Sequence, residues 1–124
     1  MNSRSKGKRG ELEFASYLKK FQMEDGTPVE ARRGVQFGCG SVDNPDVISS
    51  LPVHWEVKRT NRLRLIDSVN QAVIDSAGAK PPIVAFKANH QNWIAILPME
   101  DMMNFLGAKR VPETIGNKED GNGR

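Results

Sequence analysis

Apolar residues recur at helical spacing over residues 7–22, with Phe14, Ala15, Leu18 and Phe21 on one face and Leu12 and Tyr17 beside them. Following that stripe back by three and four positions reaches Glu11, an acid where the apolar face should continue, whereas Glu13 points elsewhere. An acid near a helix N-terminus also suits the helix dipole, so Glu11 has two explanations. Residues 24–28, Glu-Asp-Gly-Thr-Pro, read as a turn, and 29–33 as a short strand. Residues 34–45 hold three glycines and a proline and read as a flexible loop. Strands are predicted near 46–49 and 53–59, then a second amphipathic helix over 62–77. Its broad apolar face is Leu65, Ile66, Val69, Ala72, Val73 and Ala77, with Gly78 as its stop. Residues 81–88 and 92–98 read as a hairpin turning at Asn-His-Gln-Asn. A short helix over 98–107 closes the pattern: Pro98 suits its first position, Glu100 and Asp101 its first turn, and Gly107 its end. Its stripe of Met99, Met102, Met103 and Leu106 reads as core or dimer contact rather than a cofactor site.

The order helix, three strands, helix, two strands, helix predicts an α/β single domain with a mixed central β-sheet flanked by helices. At 124 residues the chain supports one modest core. The domain is placed at 1–110, with a basic N-terminal arm at about 1–8 and a disordered tail at 111–124. No apolar run is long enough to span a bilayer, which argues against a membrane partner. The basic N-terminus lacks the apolar stretch of a signal peptide, and one cysteine fits a reducing compartment, so a cytoplasmic location is expected.

Charge sharpens the picture. The net charge is +3 and the sequence pI about 9.2. The excess is clustered, in Arg4, Lys6, Lys8 and Arg9, in Arg32 and Arg33, and in Lys58, Arg59, Arg62 and Arg64. Clusters of this kind point to a polyanionic partner, nucleic acid above all, with a plain solvated basic surface as the alternative.

Within the strands, the stretch from Pro45 to Lys58 carries the chemistry. Alternation puts His54, Glu56 and Lys58 on one face, with Val53, Trp55, Val57 and Arg59 on the other. If Ser50-Leu51-Pro52 is the connecting loop, Ser49 pairs with Val53 and Asp46 falls opposite Glu56. Their β-carbons would then lie about 4.5–5.5 Å apart, and like charges so placed repel unless a cation joins them. Mg²⁺ accepts one or two carboxylates and fills its other positions with water and phosphate oxygens. Lys58 shares that face and can reach a phosphate or an attacking water, and Glu11 could join through a metal-bound water.

Pro45-Asp46 followed by Glu56-Val57-Lys58 resembles the signature of the PD-(D/E)XK nuclease superfamily. The surrounding stretches GKRGELEFASYL, ARRGVQFGCGSVDNPDV, HWEVKR, NQAVIDSAG and PPIVAFKANHQNWIAILPMEDM resemble the small Holliday junction resolvases of archaea and phages. The resemblance covers about residues 5–106 and implies a restriction-endonuclease-like αβββαβ core. It implies a homodimeric endonuclease that uses Mg²⁺ or Mn²⁺ on branched DNA such as four-way junctions, leaving a 5′-phosphate and a 3′-hydroxyl. Glu11 matches the acid of the first helix, Asp46 and Glu56 the metal-binding acids, and Lys58 the catalytic lysine. The Val57 backbone carbonyl is implied as an extra ligand. Arg32 and Arg33, with Gln36 and Ser41 of the glycine-rich loop, match the part that meets DNA near the scissile phosphate. Gln71 matches a glutamine of many relatives, although the helical wheel sets it opposite the apolar face, where it would simply meet solvent.

Other candidates are weaker. His54 borders the Glu56 face but equally suits a backbone or phosphate partner. Cys39 and His90 have no surrounding signature, and one cysteine with two histidines offers no zinc quartet. Asp43 could replace Asp46, although it lies outside the hairpin pairing. A restriction- or repair-like nuclease acting on duplex or single-stranded DNA, and a non-catalytic DNA-binding module of the same fold, remain alternatives.

Overall fold

The computed structural model describes residues 3–34 and 45–112, with side chains from residue 7 onward. The elements run α1 (Ser3–Leu18), β1 (Ala31–Arg33), β2 (Val47–Ser49), β3 (His54–Arg59), α2 (Leu65–Ser76), β4 (Pro82–Lys87), β5 (Ile94–Ile96) and α3 (Met99–Phe105). The five strands form one sheet in the order β1-β2-β3-β4-β5. Among the described residues only β3 and β4 are parallel, and α2 is the crossover that a parallel pair requires; the other neighbours are antiparallel. This is the expected α/β domain with a mixed sheet.

Helix α1 covers one face of the sheet. Phe14, Ala15 and Leu18 are buried against Val47, Trp55, Val57, Ile83 and Ala85. The Phe14 ring meets Trp55 edge-on at 4.9 Å and Trp93 at 4.8 Å. Gly10 lets the helix close on β3, because a β-carbon there would sit 2.6 Å from Cβ of Arg59. The helix starts at Ser3, so residues 3–8 of the predicted arm belong to its first turns. It ends at Leu18, and Phe21, expected in the core, is 48% exposed. Glu13 ties α1 to the sheet, accepting from Arg59 Nε at 2.9 Å and Lys87 Nζ at 2.8 Å. Burial alone would raise its pKa, but these two cations hold it below the ordinary value.

Helix α2 covers the opposite face, lying over β3 and β4. Its buried residues are Ser68, Ala72 and Ser76, not the large apolar side chains that the wheel selected. Leu65, Ile66 and Val73 are 47%, 66% and 44% exposed. Small side chains at i, i+4 and i+8 let the helix lie close to the sheet, which turns the bulky stripe sideways. The helix ends through Ala77 at φ 51° with Gly78 at φ 75° behind it, so the left-handed cap begins one residue before the predicted glycine.

The β4–β5 hairpin turns through His90 at φ 62°. Helix α3 follows, and none of its residues is buried. Of the two expectations for its methionine stripe, core or dimer contact, burial in the core of its own chain is therefore not met. Among the described residues, no helix is long and apolar enough to cross a membrane.

Candidate functional site

The site grows from the β2–β3 hairpin. Val47 pairs with Trp55, which is the register expected from the sequence. The pairing stops there, one step short of the expected Asp46–Glu56 pair. Asp46 donates its N–H to the Trp55 carbonyl at 2.9 Å, and its Oδ2 turns back to accept the Val57 N–H at 2.8 Å. A side chain thus replaces the next backbone partner, and the carboxylate is held against β3. Gly34 makes this bend possible. Its N–H donates to the Asp46 carbonyl at 2.8 Å, and a β-carbon there would collide with the Pro45 carbonyl.

Both acids are buried, Glu56 to 3% exposure and Asp46 to 9%. Burial pushes the Glu56 carboxyl up to about 8; the charges of Asp46 and of Asp75 on α2 add to the rise, and Lys58 opposes it. Asp46 is pushed up to about 6, again chiefly by burial, with the Val57 N–H opposing and Glu11 adding. Oε1 of Glu56 is buried without a hydrogen-bond partner, and Oε2 lies 3.6 Å from Lys58 Nζ. An orphaned carboxylate oxygen beside a second buried acid is costly unless protonated or matched by a cation. An all-oxygen donor set of this kind fits a hard divalent ion such as Mg²⁺ or Mn²⁺. Among the described residues, no group of three or more His, Cys, Asp and Glu side chains is arranged to hold a metal alone. Two carboxylates, with water and phosphate completing the shell, match the way Mg²⁺ is usually held.

Lys58 sits at the mouth of this pair with its side chain 30% exposed. Its Nζ donates to Gln71 Oε1 at 3.2 Å. Gln71 is exposed, as the wheel expected, and yet its amide oxygen reaches the lysine at the edge of the site, because α2 is oriented by Ser68, Ala72 and Ser76. Asp75, one turn further on, was missed for the same reason. A wheel centred on those three small residues sets Asp75 on their flank, whereas Gln71 lies about 100° from its centre.

Glu11 is otherwise engaged. Its Oε1 accepts from Arg33 Nε at 2.7 Å, while it remains near enough to raise the Asp46 pKa. His54 shares the face of Glu56, as expected, but is fully buried at 0% exposure, which leaves no room for a phosphate on it. Val57 lies in mid-β3 and contributes its N–H to Asp46.

Among the basic residues, Lys8, Arg9, Arg32, Arg62 and Arg64 are exposed. Arg64 pairs with Asp67 on the surface at 3.2 Å. Arg59, expected on DNA, is committed to Glu13, to Asn89 Oδ1 at 3.0 Å and to the Lys87 carbonyl at 3.4 Å. It braces α1 against the sheet. Gln36, Cys39, Ser41 and Asp43, the side chain of Lys6, and the tail from residue 113 lie outside the described residues.

No protein-family model, curated protein or solved structure matches the chain.

Proposed function

We propose that this chain is a metal-dependent DNA endonuclease of the PD-(D/E)XK type, acting on branched DNA and on four-way junctions first. The observation that carries this reading is the buried pair Asp46 and Glu56, with an orphaned Glu56 oxygen and Lys58 at its mouth. The resemblance of the surrounding sequence supports the step from nuclease to resolvase.

In this reading Asp46 and Glu56 hold Mg²⁺ or Mn²⁺, which when bound polarises a phosphoryl oxygen and makes the attacking water more acidic. The Val57 N–H fixes the Asp46 carboxylate, so that acid meets its ligand in one orientation. Lys58 places a positive charge where the phosphodiester gains negative charge, and Gln71 holds the lysine in place. Lys8, Arg9, Arg32 and Arg62 offer exposed cations to the DNA backbone. Arg33 reaches that backbone while bonded to Glu11. Glu11 acts through Arg33 and through the field at Asp46, beside the role through a metal-bound water expected from helix periodicity. Cutting both arms of a junction takes two such sites, which makes a homodimer the working form.

The test is cleavage of a synthetic four-way junction and of a matched linear duplex, each with Mg²⁺ and with EDTA. Symmetric, metal-dependent nicking of the junction alone is the expected result. Equal cutting of both substrates would replace the resolvase by a restriction- or repair-like nuclease. Tight binding without cutting in any metal would leave a DNA-binding module.

A further inference from the structure

An acid stands in an unfavourable place at the end of α2. Asp75 lies in the last turn of that helix, where the dipole disfavours negative charge, and the turn holds no basic residue. It is half-buried, on the flank of the Ser68, Ala72 and Ser76 face that lies on the sheet, about 60° from the centre of that face. Among the described residues its carboxylate has no ion pair and no hydrogen bond.

What Asp75 faces follows from the geometry of the layers. Strands β3 and β4 are parallel, so α2, which joins them, runs antiparallel to both. Gln71 stands over Lys58, with its Oε1 3.2 Å from Nζ. Four residues further along the helix is about 6 Å, and two residues back along β3 is about 6.6 Å. Asp75 therefore stands over Glu56 as Gln71 stands over Lys58. Its charge is accordingly among those that push the Glu56 carboxyl up. Glu56 is 3% exposed, and its Oε1 is buried with no hydrogen-bond partner.

We propose that Asp75 is a third carboxylate of the site: a positioning residue that accepts hydrogen bonds from the water shell of the divalent ion held by Asp46 and Glu56. This rests on the metal-dependent reading above. Contact through water is favoured over direct ligation, because among the described residues no three acids are arranged to hold an ion alone, and Mg²⁺ normally keeps several of its waters. Charge gives a separate reason. Glu11 and Arg33 neutralise each other, which leaves Asp46, Glu56 and Asp75 against the single cation of Lys58. The two negative charges left over are those that one divalent ion matches. One helix then orients both halves of the site, Gln71 holding the lysine and Asp75, a turn away, the ion's water.

The test titrates the full chain with Mn²⁺ in the absence of DNA and counts the free ion by electron paramagnetic resonance, so cleavage is not read. Asp75→Asn keeps the shape and removes the charge. It should weaken Mn²⁺ binding by about 10-fold or more, while the melting temperature in EDTA stays the same or rises. Asp67→Asn, at an exposed acid of the same helix, should leave the affinity unchanged, and Glu56→Gln should abolish binding. Equal affinity of Asp75→Asn and wild type would overturn the role of Asp75 and leave the site on Asp46 and Glu56 standing. An equal loss in Asp67→Asn would also overturn it, because the helix would then act only through its total charge. So would a lower melting temperature of Asp75→Asn in EDTA, which would make Asp75 a structural residue. A wild type that takes up no Mn²⁺, or takes it up as well after Glu56→Gln, would instead sink the metal-dependent reading itself, and Asp75 with it.

Discussion

Replacing Glu56 by Gln should stabilise the metal-free protein at pH 8 and leave it unchanged at pH 5. The sign follows from where the proton resides. Below the ordinary value of 4.5 the carboxyl is protonated in the folded and unfolded chain alike, and pH has no effect through this group. Between 4.5 and about 8 the unfolded chain has released the proton while the folded site retains it. Each pH unit in that window therefore removes about 1.4 kcal/mol of stability. Part of the rise is shared with Asp46, so the loss between pH 5 and pH 8 should be about 2–4 kcal/mol. Gln keeps the shape and removes the charge, which returns that amount at pH 8. For a domain of this size the gain corresponds to about 6–15 °C in melting temperature. Thermal and urea unfolding in EDTA, at each pH from 5 to 8, measure it directly. Mg²⁺ or Mn²⁺ at pH 8 should stabilise the wild type, releasing the Glu56 proton on binding, and should leave Glu56→Gln unmoved. A wild-type stability that is flat from pH 5 to pH 8, or a Glu56→Gln protein less stable at pH 8, would show that the acids are not forced together in a dry site.

Three further outcomes follow from the same geometry. Lys58→Ala should lower kcat by about 100–1,000-fold with DNA affinity nearly intact, whereas Gln71→Ala, which only frees the lysine, should lower it by about 5–10-fold; equal losses would place Gln71 in direct contact with the substrate. Gly34→Ala forces the Asp46 bend apart and should cost about 1–3 kcal/mol in urea unfolding together with metal-dependent cleavage; full activity would mean that the bend is dispensable. Arg32→Ala should weaken binding to every DNA alike and reduce the slope of log affinity against log salt by about one, read by titration at several salt concentrations; a loss confined to one DNA sequence would make it a base-reading residue.

The central hairpin was legible because its information is local. Period-two alternation and a short connecting loop set the pairing of Val47 with Trp55, and with it the approach of Asp46 to β3 beside Glu56 and Lys58. The order of elements was legible too, since apolar spacing distinguishes helix from strand wherever one face is buried. The rotation of α2 was not. Large apolar side chains usually mark the buried face, but a helix that must lie close over a polar strand face does so on Ser68, Ala72 and Ser76, and only the assembled sheet exposes that demand. Gln71 and Asp75 came to the site through that rotation. The partner of Glu11 was equally hidden, because Arg33 reaches it from a different strand, 22 residues away in sequence. Sequence alone thus determined which acids the hairpin brings to the site, through short-range backbone geometry. Tertiary structure decided which side chains surround them and which apolar stripe was left uncovered, because packing distances between layers are set by all the elements together.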